Sequence, residues 1–146
     1  MKIHVIISSM VLGVALMACS SESISHDASK LPAKARDLIS QNFNSAVSMV
    51  ETEKSVGKVK EYEVILTDGV QVTFSGDGEW KSVDTPNNIP VPHGLVPTSI
   101  AEFVAQKHAG AYIVGIEKNK KGFEVELSNG VDMQFDTAGV FMKYDN

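Results

Sequence analysis

The stretch YEVILTDGVQVTF (residues 62–74) decides the fold, because it returns sixty-one residues later as FEVELSNGVDMQF (residues 123–135). In each, apolar side chains alternate with polar ones: Tyr62, Val64 and Leu66 answer Phe123, Val125 and Leu127. Past the turn, Val70, Val72 and Phe74 answer Val131, Met133 and Phe135. A period of two predicts strands with one buried face. Asp68-Gly69 and Asn129-Gly130 stand between the runs and predict two-residue hairpin turns, whose central positions both need positive φ.

The correspondence extends outward. Gly78 pairs with Gly139 and Trp80 with Phe141 at the same offset, while Leu31-Pro32 pairs with Val96-Pro97 at an offset of 65. One slippage, in a loop, reconciles the two offsets and points to an internal duplication. Each copy opens with a proline suited to a first helical turn, followed by an apolar stripe: Leu31, Ala35, Leu38, Ile39, Phe43, and Val96, Ile100, Phe103, Val104, His108. Strand patterns follow at 46–53 and 111–118, then at 60–67 and 123–128. Gly78 and Gly139 suit the left-handed position of a second, three-residue hairpin before a fourth strand. The expected fold class is α+β: two tandem α-β-β-β-β units, 31–84 and 96–146, forming antiparallel sheet with helices packed on one face. The stretch TPNNIPVPHG carries three prolines, cannot sustain a ladder, and makes 85–95 a linker.

One helix per four strands leaves the second sheet face to solvent, and its residues should be polar. Glu63, Gln71 and Thr73 fit in the first copy, and Glu124, Glu126, Asp132 and Gln134 in the second. With a three-residue second hairpin, Phe135 and Phe141 share the core face, and Val140, Met142 and Tyr144 point outward, as Ile65 and Val83 would in the first copy. Another loop length would turn these residues inward and expose Trp80 and Phe141 instead. Apolar groups rimmed by carboxylates suit a protein-binding surface.

At the other end of the chain, Lys2 followed by the apolar run Val5 to Ala18 reads as a signal peptide, too short for a comfortable span. The run ends Leu16-Met17-Ala18-Cys19, which resembles the bacterial lipobox, in which the cysteine is lipidated. Without a lipid, Cys19 would be an unpaired thiol in an oxidising compartment. Acyl chains contribute about 0.8 kcal/mol per buried CH₂, so the protein is expected to be anchored, not spanning. Ser20 after the cysteine resembles the sorting pattern of Gram-negative lipoproteins, which implies the outer membrane over retention at the inner one. Residues 19–30 are serine-rich and lack apolar periodicity, so a flexible tether is expected.

The lipoprotein leader, the helix starting at Leu31-Pro32, and the meander ending in the Gly78-Glu79-Trp80 hairpin, all doubled, resemble the PepSY-like secreted proteins of Bacteroidetes. These share the tandem α-β4 architecture of the beta-lactamase-inhibitor protein. The resemblance covers residues 31–146 and departs from pattern at Thr137-Ala138-Gly139-Val140-Phe141. It implies binding of other proteins by the open sheet face, and PepSY domains are linked to restraining peptidases.

Composition narrows the classes. The formal net charge is −5, so no basic stripe offers itself to a phosphate backbone, and nucleic acid is not an expected partner. Cys19 is the only cysteine, which removes internal disulfides and Cys-based metal sites. No HExxH, GxSxG, calcium loop or phosphate-cradling glycine loop is present. His26, His93 and His108 remain after leader removal, with no nucleophile activated beside them. The sequence therefore predicts a non-catalytic envelope lipoprotein without metal or cofactor. It would recognise or inhibit another protein, such as a peptidase or hydrolase, through Glu63, Ile65, Gln71, Thr73, Glu124, Glu126, Asp132, Gln134 and Tyr144. The alternative is a small-ligand or peptide carrier with a pocket between the halves, near His93, Trp80 and His108.

Overall fold

The computed structural model describes residues 20–145, so the leader and Cys19 lie outside the described residues. The chain runs β1 (Ser20–Ser25), α1 (Ala33–Asn42), β2 (Val47–Ser55), β3 (Lys58–Leu66), β4 (Gln71–Ser75) and β5 (Trp80–Asp84). It continues through α2 (Thr98–Lys107), β6 (Ile113–Asn119), β7 (Gly122–Leu127), β8 (Asp132–Phe135) and β9 (Phe141–Asp145). All nine strands form one sheet whose spatial order is the chain order, and every neighbouring pair is antiparallel.

This corrects the expected fold class. Among the described residues the molecule is one continuous nine-stranded antiparallel sheet with two ten-residue α-helices, not an assembly of two α-β-β-β-β units with helices packed on one face. Two pairings make the difference. Across the linker, β5 joins β6 through Ser82↔Glu117, Val83↔Ile116 and Asp84↔Gly115, so the sheet does not stop at the end of the first half. At the far edge, the residues expected to be a flexible tether form β1, paired with β2 from Ser20↔Ser55 to Ser25↔Val50. An edge strand needs only its backbone ladder, and the free edge of β2 supplies the partner groups. Hydrophobic periodicity therefore gives no warning of it.

The core is written in the register. Val50, Val64, Val72, Val83, Ile116, Val125 and Met133 form one cross-strand row from β2 to β8, and each is 0% exposed. Burying such a side chain contributes roughly 1.5–3 kcal/mol. Ala35 and Ile39 of α1, and Ile100 and Val104 of α2, are buried in the same core.

The turns differ from expectation in a way that matters for the site. Gly69 and Gly130 have positive φ, 89° and 83°, but Asp68 and Asn129 do not. Backbone bonds Gly69 N–H to Leu66 O (3.0 Å) and Leu66 N–H to Val70 O (2.8 Å) define a type I turn followed by a left-handed glycine, instead of the two-residue turn. Asp68 Oδ1 and Asn129 Oδ1 accept from Val70 N–H and Val131 N–H, both at 3.2 Å, which explains the side chains chosen there. The second hairpins close in the same way around Gly78 and Gly139. After each comes a bulge: Phe74 pairs with Trp80 but Thr73 with Ser82, and Phe135 with Phe141 but Gln134 with Lys143.

Candidate functional site: the polar face of the sheet

Because side chains alternate along each strand, the register also orders the face turned away from the core. One row on it runs Ile24, Glu51, Glu63, Thr73, Ser82, Glu117, Glu124, Gln134, Lys143. The next runs Met49, Ile65, Gln71, Asp84, Gly115, Glu126, Asp132, Asp145. Eight of the nine residues expected on this face are there: Glu63, Thr73, Glu124 and Gln134 in the first row, Ile65, Gln71, Glu126 and Asp132 in the second.

Tyr144 is not. It pairs with Met133 at the end of the core row, stands 45% exposed, and its hydroxyl lies 3.1 Å from His108 Nε2. The bulge is the reason. The three-residue hairpin does pair Phe141 with Phe135, but Met142 is then skipped, and Lys143 and Asp145 take the polar face in place of Met142 and Tyr144. The same bulge after Trp80 sends Val83 into the core and puts Ser82 and Asp84 on the polar face. Ser82 and Asp84 were missed for this reason, and Gly115 and Glu117 because they join the face through the β5–β6 pairing. The β5–β6 pairing that gathers them crosses a proline-rich linker and has no local signature.

Like charges stand opposite each other on this face: Glu51↔Glu63, Glu53↔Glu61, Glu117↔Glu124 and Glu126↔Asp132. Lys60 answers Glu53 at 3.1 Å, and Lys81 pairs with Glu61. Lys143 reaches Asp145 at 3.3 Å. Towards the middle the balance fails. Burial, and after it Glu126, Glu117 and Glu63, push the Asp84 carboxyl up to about 7. Burial, with Glu51 and Glu61, also raises Glu63. Burial, then Glu124, raises Glu117, against the opposing pull of Lys81. Asp84 Oδ2 and Glu63 Oε1 are buried with no hydrogen-bond partner among the described residues.

Other chemistry is sparse. Among the described residues no group of three or more His, Asp, Glu or Cys residues converges as a metal site, and no helix is long and apolar enough to cross a membrane. His26 Nδ1 contacts Ser48 O at 2.7 Å, and His108 is engaged by Tyr144. A cavity of about 170 Å³ lies between the linker, α2 and β6, lined by Val91, His93, Val96, Val104, Tyr112 and Ile113. It is smaller than the roughly 300–1,000 Å³ of ordinary small-ligand pockets. Of the residues expected around such a pocket only His93 lines it. Trp80 lies instead under the Lys118 ammonium, 4.2 Å from the ring centroid.

Residues 60–143 match the family model described as "Putative beta-lactamase-inhibitor-like, PepSY-like". The chain belongs to this PepSY-like family. A crystal structure of a Bacteroides vulgatus protein, described as a putative periplasmic protein of unknown function, is similar to it at 33% identity and a TM-score of 0.80, covering 86% of this chain and 100% of that one. A second protein of the same organism, described as a putative periplasmic protein, is 30% identical, with a TM-score of 0.77 over 86% of this chain and 97% of its own. A Bacteroides thetaiotaomicron protein, described as a putative calcium-regulated periplasmic protein, is 31% identical, with a TM-score of 0.78 and the same coverage. No curated protein matches the chain.

Proposed function

We propose that this PepSY-like chain is a non-catalytic binding module of the cell envelope that recognises another protein through the polar face of its sheet. The observation that carries the reading is the register: two rows, each crossing at least eight strands, bring carboxylates, hydroxyls and a few apolar groups onto one surface. That mixture suits a protein surface better than a catalytic cleft. The inhibitor-like description of the family supports recognition of an enzyme as one form of it. The periplasmic descriptions of the solved relatives support an exported location. Lipidation of Cys19 and residence at the outer membrane belong to the same proposal and rest on the leader sequence.

Affinity capture from envelope extract with the purified protein, read by mass spectrometry, tests the reading against two variants. Glu124→Lys reverses a charge on the polar face, and Tyr144→Ala removes a ring on the other face. A stoichiometric partner lost with Glu124→Lys and kept with Tyr144→Ala supports the polar face. A partner that is kept with Glu124→Lys and lost with Tyr144→Ala moves the interface to the β9 edge and refutes the proposal.

A further inference from the structure

At the middle of the polar face the side chains become small. Thr73 of β4 and Ser82 of β5 are opposite each other, and Gly115 of β6 stands opposite Asp84, the next outward-facing residue along β5 from Ser82. Thr73 and Ser82 are each 8% exposed. Their hydroxyls make no hydrogen bond among the described residues, although both face outward into this depression. Gly115 adds no side chain at all, and a Cβ there would stand 3.2 Å from Asp84 Oδ1. The two hydroxyls and the Gly115 backbone, which the side chains of Asp84 and Glu126 overhang, thus floor a trough about three strands wide, or roughly 10 Å from β4 to β6 at the usual strand spacing.

Its walls are carboxylates. Glu63 is opposite Thr73 on one side, Glu117 is opposite Ser82 on the other, and Asp84 rises at the end beside Gly115. Glu126 is the next residue across from Gly115. Lys81, which acts on Glu117, is itself paired with Glu61. Acceptors on three sides, hydroxyls beneath, and buried oxygens on Glu63 and Asp84 that receive no donor among the described residues suit a cation with several N–H groups.

We infer that this trough receives an arginine or lysine side chain projecting from the partner protein, with Glu63, Asp84 and Glu117 as its counter-charges and Thr73 and Ser82 beneath it. The inference rests on the sheet-face reading above and names the chemistry that the partner must present. A planar guanidinium, with five donors, suits the spread of acceptors better than an ammonium. Cation entry relieves the mutual repulsion of the wall carboxylates, so binding strengthens as pH rises through 7. The groups facing Asp84 are Glu63 from β3, Gln71 from β4, Glu117 from β6 and Glu126 from β7, and none supplies a positive charge.

The test titrates the purified, ¹⁵N-labelled protein with acetyl-Gly-Ser-Arg-Ser-Gly-amide in EDTA, beside the same peptide with neutral citrulline for arginine. The arginine peptide should move the amide resonances of Thr73, Ser82 and Gly115 saturably, and the citrulline peptide should not. Asp84→Asn and Glu117→Gln should each weaken binding about five-fold, the usual worth of one partly screened charge pair. Gly115→Ala, which places a methyl group on the floor, should weaken it too. Glu22→Gln removes equal charge from the β1 edge and should leave affinity within about two-fold, since screening isolates distant surface charges. Equal shifts with both peptides, or equal losses for Glu22→Gln and Asp84→Asn, overturn the trough. The two readings fail separately. A captured partner that Glu124→Lys releases but the double variant Asp84→Asn/Glu117→Gln retains refutes the trough alone. Arginine-specific shifts in the trough, with a captured partner that every polar-face variant retains, refute the sheet-face docking alone.

Discussion

Val83 and Tyr144 occupy matching places in the two halves of the chain and meet opposite fates. Each follows a type I turn with a left-handed glycine, each lies beyond the same bulge, and each pairs into the same core row, with Val72 and with Met133. Val83 is 0% exposed, whereas Tyr144 is 45% exposed. The local chain geometry is common to both. What differs is the next strand: β5 continues into β6, while β9 is the edge of the sheet. Burial here is a property of position in the sheet, and local sequence decides only which face a residue joins.

The sharpest way to break that comparison is to truncate both residues. Val83→Ala leaves a hole in a filled row and should cost about 2 kcal/mol in urea unfolding, near the lower range for large-to-small core changes. Tyr144→Ala should cost under about 1 kcal/mol, as partly exposed side chains do. Equal costs would show that the edge is packed as tightly as the seam.

The next effect concerns the residue after Val83. Asp84 is held protonated more readily folded than unfolded, so its contribution is present below about pH 4 and is lost as pH rises to about 7. The melting temperature should therefore carry a downward component from pH 5 to pH 8. Asp84→Asn should remove it and stabilise the protein at pH 8 by about 1 kcal/mol, allowing for solvent screening. An unchanged pH profile in Asp84→Asn would show that the β5–β6 seam is open to water.

The smallest expected effect lies at the other edge. None of the six residues of β1 is buried, so its ladder is held by backbone bonds alone. Amide exchange at Ser20–Ser25 should run orders of magnitude faster than at Val64, through local opening instead of global unfolding. Ile24→Ser should leave the unfolding midpoint within about 0.5 kcal/mol of the parent. Slow exchange in β1 would mean that both edges are as firmly built as the middle.

These contrasts explain how far the sequence could be read. The alternation in 62–74 and 123–135 identified the strands, and Gly78 and Gly139 identified the second hairpins, because each rests on neighbours within a few residues. The polar-face positions of Glu63, Thr73, Glu124 and Gln134 followed from that alternation. The bulges did not, since skipping Lys81 or Met142 leaves no mark in hydrophobic pattern, and one skipped residue reverses the face of everything after it. That single displacement moved Tyr144 off the polar face and brought Asp84 onto it. The joining of β5 to β6 and the pairing of β1 were also illegible, because backbone ladders between distant or apolar-poor segments carry no periodic signal.

A sheet whose spatial order repeats its chain order has a consequence for how the molecule assembles. Each strand finds its partner next along the chain, and only the β1–β2 and β5–β6 pairings must close around a helix. Loop-closure entropy is thus small at most steps, and such low contact order favours fast folding for an all-antiparallel sheet. A chain crossing a membrane unfolded, amino terminus first, could complete the β2–β5 meander while its second half was still in transit. Assembly would then follow the order of the chain, and the β5–β6 junction would close only once β6 had followed α2 across.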